Sequence, residues 1–530
     1  MKKLVVYSSA LLLCLAASCT SLDVDVKSEL TPDNFPNSEE QFVAASGVIY
    51  TNFALGYADN YWELSELSGD EAVLPANGGN WFDGGQYKDM HYHTWNKNNP
   101  LVENAWSWLY KTINSCNQVY SLLEGAADSE AKARSIAELR TMRAFCYYLL
   151  IDNFGDVPLV KSFGETVGSR NSRKEVFDYV EEELLDALPD LSSVNDVTTY
   201  GRPTQLSAYA MLAKLYMNAE VFVGEKRYDD AVSMCDKVIA FEKQGQTTLT
   251  PNSSYLSMFN YDNGPDFKEI LFAIPYDENN LKSFKPSRYS LSIYHPEFWG
   301  FKFTVSSCTR ILPSFYDLFT QSANDVREKQ FLTGKQYLLD GSTPMVIQAT
   351  KVQLDNRYTG DDKDEVVDFH IEFTKDIEFR DIANFDTGDD VKGRLVGYRC
   401  NKYPASSTQT GREQSNDFPV FRYADILLMK AEALLRGAKV TNGETALYLV
   451  NRIRQRAGVD LWTNVSLDEL LQERAREFSM EAWRRNDLIR FGKFEDKWLV
   501  KTDNDPRKRL FPIPQKEIDK NPALEQNPGY

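Results

Sequence analysis

Residues 204–241 read TQLSAYAMLAKLYMNAEVFVGEKRYDDAVSMCDKVIAF, and their pattern decides the fold. Small residues Ala210, Ala213 and Ala231 recur at positions where two antiparallel helices must approach closely, and Tyr216 and Tyr228 supply bulk beside them. This is the pattern of a tetratricopeptide-type helix pair, a unit that buries its apolar face only by stacking on neighbours. A second such unit spans 421–458, FRYADILLMKAEALLRGAKVTNGETALYLVNRIRQRAG, with Ala424, Ala431, Ala433 and Ala446 in comparable places.

Outward from these units the helical period continues. Phe42, Ala45, Ile49 and Phe53 mark a helix beginning near Glu39. Residues 101–124 carry one apolar stripe (Trp106, Leu109, Ile113, Cys116, Tyr120, Leu123), which assigns Trp106 to the core. Further helices are predicted over 128–152, where Gly155 and Pro158 supply the break, over 172–188 and over 467–484. Between the repeat units, 246–420 is rich in Pro, Tyr, Phe, Asp and Gly. Its short alternating runs EILFAIPY and VVDFHIEF read as strands or structured loops. The expected architecture is mainly α: scaffold helices over 39–245 and 421–495, with an irregular region over 246–420 and a loop over 59–100. Long irregular segments carried by rigid scaffolds are where binding sites concentrate.

Composition narrows the partners. The 530 residues carry 59 Lys and Arg against 77 Asp and Glu, a net −18. That field opposes nucleic acid and anionic lipid surfaces, and it favours solubility. The seven cysteines are scattered without metal or disulfide spacing. Residues 1–18 read as an export signal: Lys2 and Lys3, an apolar run from Leu4 to Ala17, then small residues. Leu15-Ala16-Ala17-Ser18-Cys19 has the form of a bacterial lipobox, so Cys19 is the expected lipidated residue. Residues 19–38 form a polar tether, followed by one domain over 39–530. Several acyl chains anchor stably where one does not.

The chemistry concentrates in residues 80–99, NWFDGGQYKDMHYHTWNKNN. Sugars present C–H faces that stack on aromatic rings and hydroxyls that bond to amides and carboxylates. Trp81, Trp95, Asn98 and Asp83 supply these groups, although Asp83 beside Gly84 and Gly85 also suits a turn. His91 and His93, at i and i+2, would share one face of a strand and could ligate a metal. A third ligand at diagnostic spacing is missing, so packed histidines are the better reading. No nucleophile elbow, phosphate loop or dinucleotide fingerprint occurs, and nothing singles out a carboxylate pair for glycoside hydrolysis. The segment ERAREFSMEAWRRNDLIRFGK, with Glu473, Glu477 and Glu481 at i, i+4 spacing amid Arg474, Arg476, Arg484, Arg485 and Arg490, reads as an ion-paired helix inside the scaffold.

RTMRAFCYYLLIDNFGDVPLV, GRPTQLSAYAMLAKLYMNAE, FRYADILLMKAEAL with NRIRQRAG, LLQERAREFSMEAWRRNDLIRFGKF and LFPIPQKEIDKNPALEQNPGY resemble, in order, the hallmark segments of the SusD/RagB family. These are nutrient-binding outer-membrane lipoproteins. The resemblance implies a tetratricopeptide-like scaffold of four helix pairs, lipidation at Cys19 and a place in the outer membrane facing the cell exterior. It also implies an oligosaccharide ligand, no covalent chemistry, and a SusC-like TonB-dependent transporter as partner. Members near the starch-binding type place a stacking Trp and an Asn three residues later in this loop, which carries over to Trp95 and Asn98. The family's Arg near the start of the segment is replaced here by Asn77. Tyr276 and Trp299, from the variable middle region, are the candidates to complete an aromatic arc. Some family members capture peptides, and a surface glycoside hydrolase is the remaining alternative. No cofactor is called for, and the residues neither require nor forbid a structural calcium ion, which some relatives carry.

Overall fold

The computed structural model describes residues 36–530; the export signal, Cys19 and most of the tether lie outside the described residues. The scaffold comprises α1 (Glu39–Gly56), α2 (Trp62–Leu67), α3 (Gln86–Tyr92), α4 (Pro100–Glu124), α5 (Glu130–Phe154), α6 (Arg173–Ala187), α7 (Gln205–Met217) and α8 (Tyr228–Glu242). It resumes with α9 (Tyr423–Leu435), α10 (Ala446–Ala457), α11 (Leu467–Glu477), α12 (Arg484–Arg490) and α13 (Gln515–Lys520). Most long helices begin where their sequence supplies an acceptor for the free amides of the first turn, whereas α8 and α9, preceded by Arg227 and Arg422, have no side-chain cap. Ser129 and Thr445 cap α5 and α10, Ser172 and Ser466 form full capping boxes with Glu175 and Glu469, and Asn99 precedes Pro100 at the start of α4.

The helices stack pairwise: α1 on α4, α4 on α5, α5 on α6, α7 on α8, α8 on α9 and α9 on α10. Ala210, Ala213, Ala231, Ala424, Ala431 and Ala433 are all buried at these seams, where a larger side chain would hold the backbones apart. The helices predicted at 101–124, 128–152 and 172–188 fall within two residues of their observed ends, and Trp106 is in the core.

The irregular region enters and leaves the scaffold through one strand pair. β1 (Ile270–Ile274) pairs antiparallel with β4 (Phe418–Arg422), Phe418 opposite Ile274 and Arg422 opposite Ile270, and every residue of both strands is buried. Between them, β2 (Val346–Thr350) and β3 (Val366–His370) form a separate hairpin. EILFAIPY and VVDFHIEF thus form strands as their alternation indicated.

Two expectations are corrected. The stretch 59–100 is not a continuous loop, because α2 and α3 lie within it. The helix expected over 467–484 ends at Glu477, and Met480 and Ala482 take left-handed backbone (φ 59° and 63°) before α12 begins. Side chains of the N-terminal region hold this break. The Trp62 indole donates to the Met480 carbonyl (3.3 Å) and the Ser65 hydroxyl to that of Ala482 (3.0 Å). Glu71 and Glu66 accept from the amides of Met480 (2.8 Å) and Ala482 (2.6 Å).

The expected ion pairing of this segment is present and extends beyond it. Arg422 bonds Glu269 (2.6 Å), Glu477 (2.8 Å) and Glu481 (2.7 Å), while Arg327 bonds Asp325 (2.8 Å) and Glu473 (2.8 Å). Arg456, Arg454, Arg476 and Lys402 pair with the same glutamates, and every one of these groups is buried. Burial alone would raise the carboxyls of Glu473 and Glu477. The surrounding guanidiniums outweigh it and hold both at about 2.

Candidate functional site

Trp81 stands on a loop fixed from beneath. The Asp386 carboxylate accepts from the amides of Gly78 (2.8 Å) and Gly79 (2.7 Å), and the Ala76 amide donates to the Phe385 carbonyl (2.9 Å). Asn77 is buried and accepts from the buried Arg310 guanidinium (2.9 Å). Gly78 and Gly79 have positive φ (61° and 84°), and Trp81 itself is left-handed at φ 67°, a costly conformation for a bulky residue that its surroundings must impose.

The Trp81 ring meets Tyr289 edge-on (5.4 Å between centroids) and Tyr87 (6.1 Å), yet it remains half-buried, and its indole N–H makes no hydrogen bond among the described residues. Asn80 and Asp83 are exposed beside it. Behind Tyr289, Arg288 lies over the phenol ring (4.8 Å). Arg288 donates to the Ser306 hydroxyl (2.5 Å), which also accepts from Arg412 (3.3 Å). A partly exposed indole with its N–H unused among the described residues therefore lies beside an exposed amide and carboxylate on a rigid base, the set that a pyranose ring uses.

The other expected contacts are placed differently. Trp95 is 1% exposed. Its indole donates to the Tyr530 hydroxyl (2.8 Å), and its ring packs on Phe511 and His93. A ring covered on both sides has no face for a sugar, so the carry-over to Trp95 is corrected: this Trp is core. Asn98 is exposed in the turn leading to Asn99, which caps α4, and lies apart from any open aromatic face at Trp95. Tyr276 is likewise buried, its hydroxyl donating to the Ala54 carbonyl (2.8 Å) and accepting from the Ala58 amide (3.1 Å), and it is corrected to a clamp between α1 and β1. Trp299 is half-buried, donates to the Tyr337 carbonyl (3.0 Å) and packs against His295 and Phe301. It makes no ring contact with Trp81 among the described residues.

His91 and His93 are framework. His91 stacks on Phe385 (5.3 Å), and burial holds it neutral, with its pKa down at about 3. His93 caps α3 in left-handed backbone, stacks on Phe494 (4.5 Å) and bonds the Ser68 carbonyl (3.0 Å), and burial takes it to about 2. Asp386, Arg310 and Tyr289 were not singled out in the sequence. Only the Gly78-Gly79 pair next to Asn80 signalled a tight support under Trp81.

A Cβ at Gly78 would lie 2.4 Å from the Cβ of Asp389. Gly78→Ala is therefore expected to displace the loop locally, at a cost of about 1–3 kcal/mol. Saccharide affinity should fall about tenfold while the helical circular dichroism stays unchanged. Wild-type affinity in this variant would remove the loop support from the site.

A stack of helix pairs with one large insertion and an aromatic loop on a rigid base defines a ligand-capturing module built on a tetratricopeptide-like body. Within that class the chain belongs to the SusD family, whose model matches residues 225–530. A second model, described as starch-binding and associating with the outer membrane, matches 22–217. The starch-binding protein SusD of Bacteroides thetaiotaomicron is 25% identical, the match covering 94% of this chain and 88% of that protein. SusD-like protein P2 of Formosa agariphila is 24% identical over the whole of both chains. Among solved structures, a laminarin-binding SusD-like protein superposes with a TM-score of 0.69 at 21% identity, covering 93% of this chain and all of that one. Surface glycan-binding protein A of Bacteroides thetaiotaomicron, in complex with laminarihexaose, gives 0.68 at 20% identity with the same coverage. These superpositions establish the fold.

Proposed function

We propose that the protein binds an oligosaccharide at the cell surface and passes it to a TonB-dependent transporter, without cleaving it. The observation that carries this reading is Trp81: of the four aromatic residues expected at the site, it alone is partly exposed with its N–H unused among the described residues, between Asn80 and Asp83. Membership of the SusD family and the saccharide named for the laminarihexaose complex of a relative support a glycan over a peptide. The lipobox ending at Cys19 supports anchoring by acyl chains, and the match to the outer-membrane-associating model supports the membrane. Asn98 and Trp299 are secondary contacts in this reading, reached by a chain longer than the Trp81 platform.

Titration with laminari- and malto-oligosaccharides and a peptide panel tests the ligand class, with product analysis alongside. Trp81→Ala is expected to weaken saccharide binding at least about tenfold, the loss of one stacking face, with no change in unfolding temperature beyond a few degrees. Peptide binding without saccharide binding, or turnover of any saccharide, would overturn the reading. Recovery from mild detergent without a barrel partner would count against the transporter.

A further inference from the structure

On the scaffold, away from Trp81, a cavity of about 620 Å³ opens between α6, α7, α12 and the segment 506–528. Its floor is apolar, made by Met217, Ile489 and Leu510, and four arginines line it: Arg173, Arg490, Arg507 and Arg509. In a chain of net −18, such a concentration of guanidiniums runs against the overall field. The one carboxylate in the lining, Glu220, is engaged by the Tyr228 hydroxyl.

Three of the arginines are already neutralised. Arg490 pairs with Glu432 (2.8 Å) and Asp487 (2.6 Å), Arg509 with Glu495 (2.7 Å) and Arg507 with Asp505 (2.7 Å). Arg173 differs, since no carboxylate pairs with its guanidinium among the described residues. It donates from Nε to the Ile151 carbonyl (2.8 Å) and from Nη1 to that of Val221 (3.3 Å), and its plane lies 4.3 Å over the Phe222 ring. The Nη2 group, with two N–H donors, makes no hydrogen bond among the described residues. Burial, together with the neighbouring Arg485, lowers the group to about 10, more than the nearby but unpaired Asp152 and Asp156 carboxylates restore. Backbone carbonyls and the phenyl ring fix the guanidinium plane, so its free edge is pre-organised for a planar anion.

We propose that this cavity is a second ligand site, which takes an organic carboxylate on Arg173 and seats the ligand's apolar body on Met217, Ile489 and Leu510. Arg507, at the exposed rim, adds a weaker long-range attraction. The volume suits a molecule of two or three rings or residues. A uronate-bearing saccharide and a short peptide with a free C-terminus both supply that chemistry. The site does not depend on Trp81.

Isothermal titration at low ionic strength with digalacturonate, a tripeptide with a free C-terminus, and the same tripeptide amidated at its C-terminus as the carboxylate-free control tests it. The expected result is binding of at least one carboxylate probe but not the amidated tripeptide, weakened about tenfold or more in Arg173→Gln, unchanged in Trp81→Ala and reduced at high salt. Preference for digalacturonate assigns the carboxylate to an acidic sugar, and preference for the tripeptide assigns it to a peptide end. Arg507→Gln alters only an exposed side chain and keeps the test open should Arg173→Gln fold poorly, with a drop of about twofold to fivefold expected. Absence of binding by both carboxylate probes, equal binding of the amidated tripeptide, or full affinity in both arginine variants would overturn the proposal.

Discussion

Arg422→Met is expected to lower the free energy of unfolding by about 3–5 kcal/mol, because it strands the Glu269, Glu477 and Glu481 carboxylates in the interior. The loss arises from the charges left behind, since burying the ion pairs already carries a desolvation cost that their attraction only roughly offsets. Lys174→Met, which removes a pair with Asp178 at the surface, should change stability by less than about 0.5 kcal/mol. Urea unfolding of the two variants makes the comparison. Equal, small effects would show that water enters the network and screens it. The pH dependence carries the same signature. Glu473 and Glu477 lie at about 2 in the folded chain, below their ordinary carboxylate value of 4.5. Their contribution is thus complete above about pH 4.5 and is lost as pH falls toward 2, because the unfolded chain then binds the protons first. Wild-type stability should fall steeply across that window, and Arg422→Met should flatten the fall by relieving the depression of Glu477.

The second large effect separates the two tryptophans of residues 80–99. Trp95→Ala should cost about 3–5 kcal/mol of stability, the transfer and cavity terms of a buried indole. Trp95→Phe keeps most of the ring volume and loses the bond to the Tyr530 hydroxyl, which still donates to the Leu510 carbonyl. It should cost about 1 kcal/mol and leave saccharide affinity within a factor of three. Trp81→Ala should do the reverse, weakening affinity with little change in stability. Thermal unfolding and titration of the three variants form a crossed test. A large affinity loss in Trp95→Phe at full stability would return Trp95 to the binding surface.

The contrast shows what was legible in the chain. Helix pairs could be read because close packing demands small residues at fixed spacing, and Ala210, Ala231 and Ala424 carry that demand locally. The buried ion network was visible in part, since Glu473 and Glu477 stand among arginines in sequence. Glu269, Arg327 and Arg422 were not, because they reach the same place from distant segments. The site was least legible. Trp81 and Trp95 occupy similar local contexts, and the difference between them is made by Tyr530 and Phe511 on one side and Tyr289 on the other. No periodicity encodes those neighbours. The helix over 467–484 failed for a related reason: the side chains that turn the backbone at Met480 and Ala482 lie more than 400 residues earlier.

That break also has a consequence in time. Trp62, Ser65, Glu66 and Glu71 meet residues 480–482 across separations of 409 to 418 residues, and closing a flexible loop of that length costs on the order of 5 kcal/mol of chain entropy. The helix pairs between them are local and can form early, whereas the join between the chain's beginning and its end must wait until the intervening body is compact. Until then the Glu66 and Glu71 carboxylates and the Met480 and Ala482 amides lack one another as partners. The join acts as the keystone of folding, set last, and a chain released before residue 482 has been synthesised lacks the piece that locks its first helices in place.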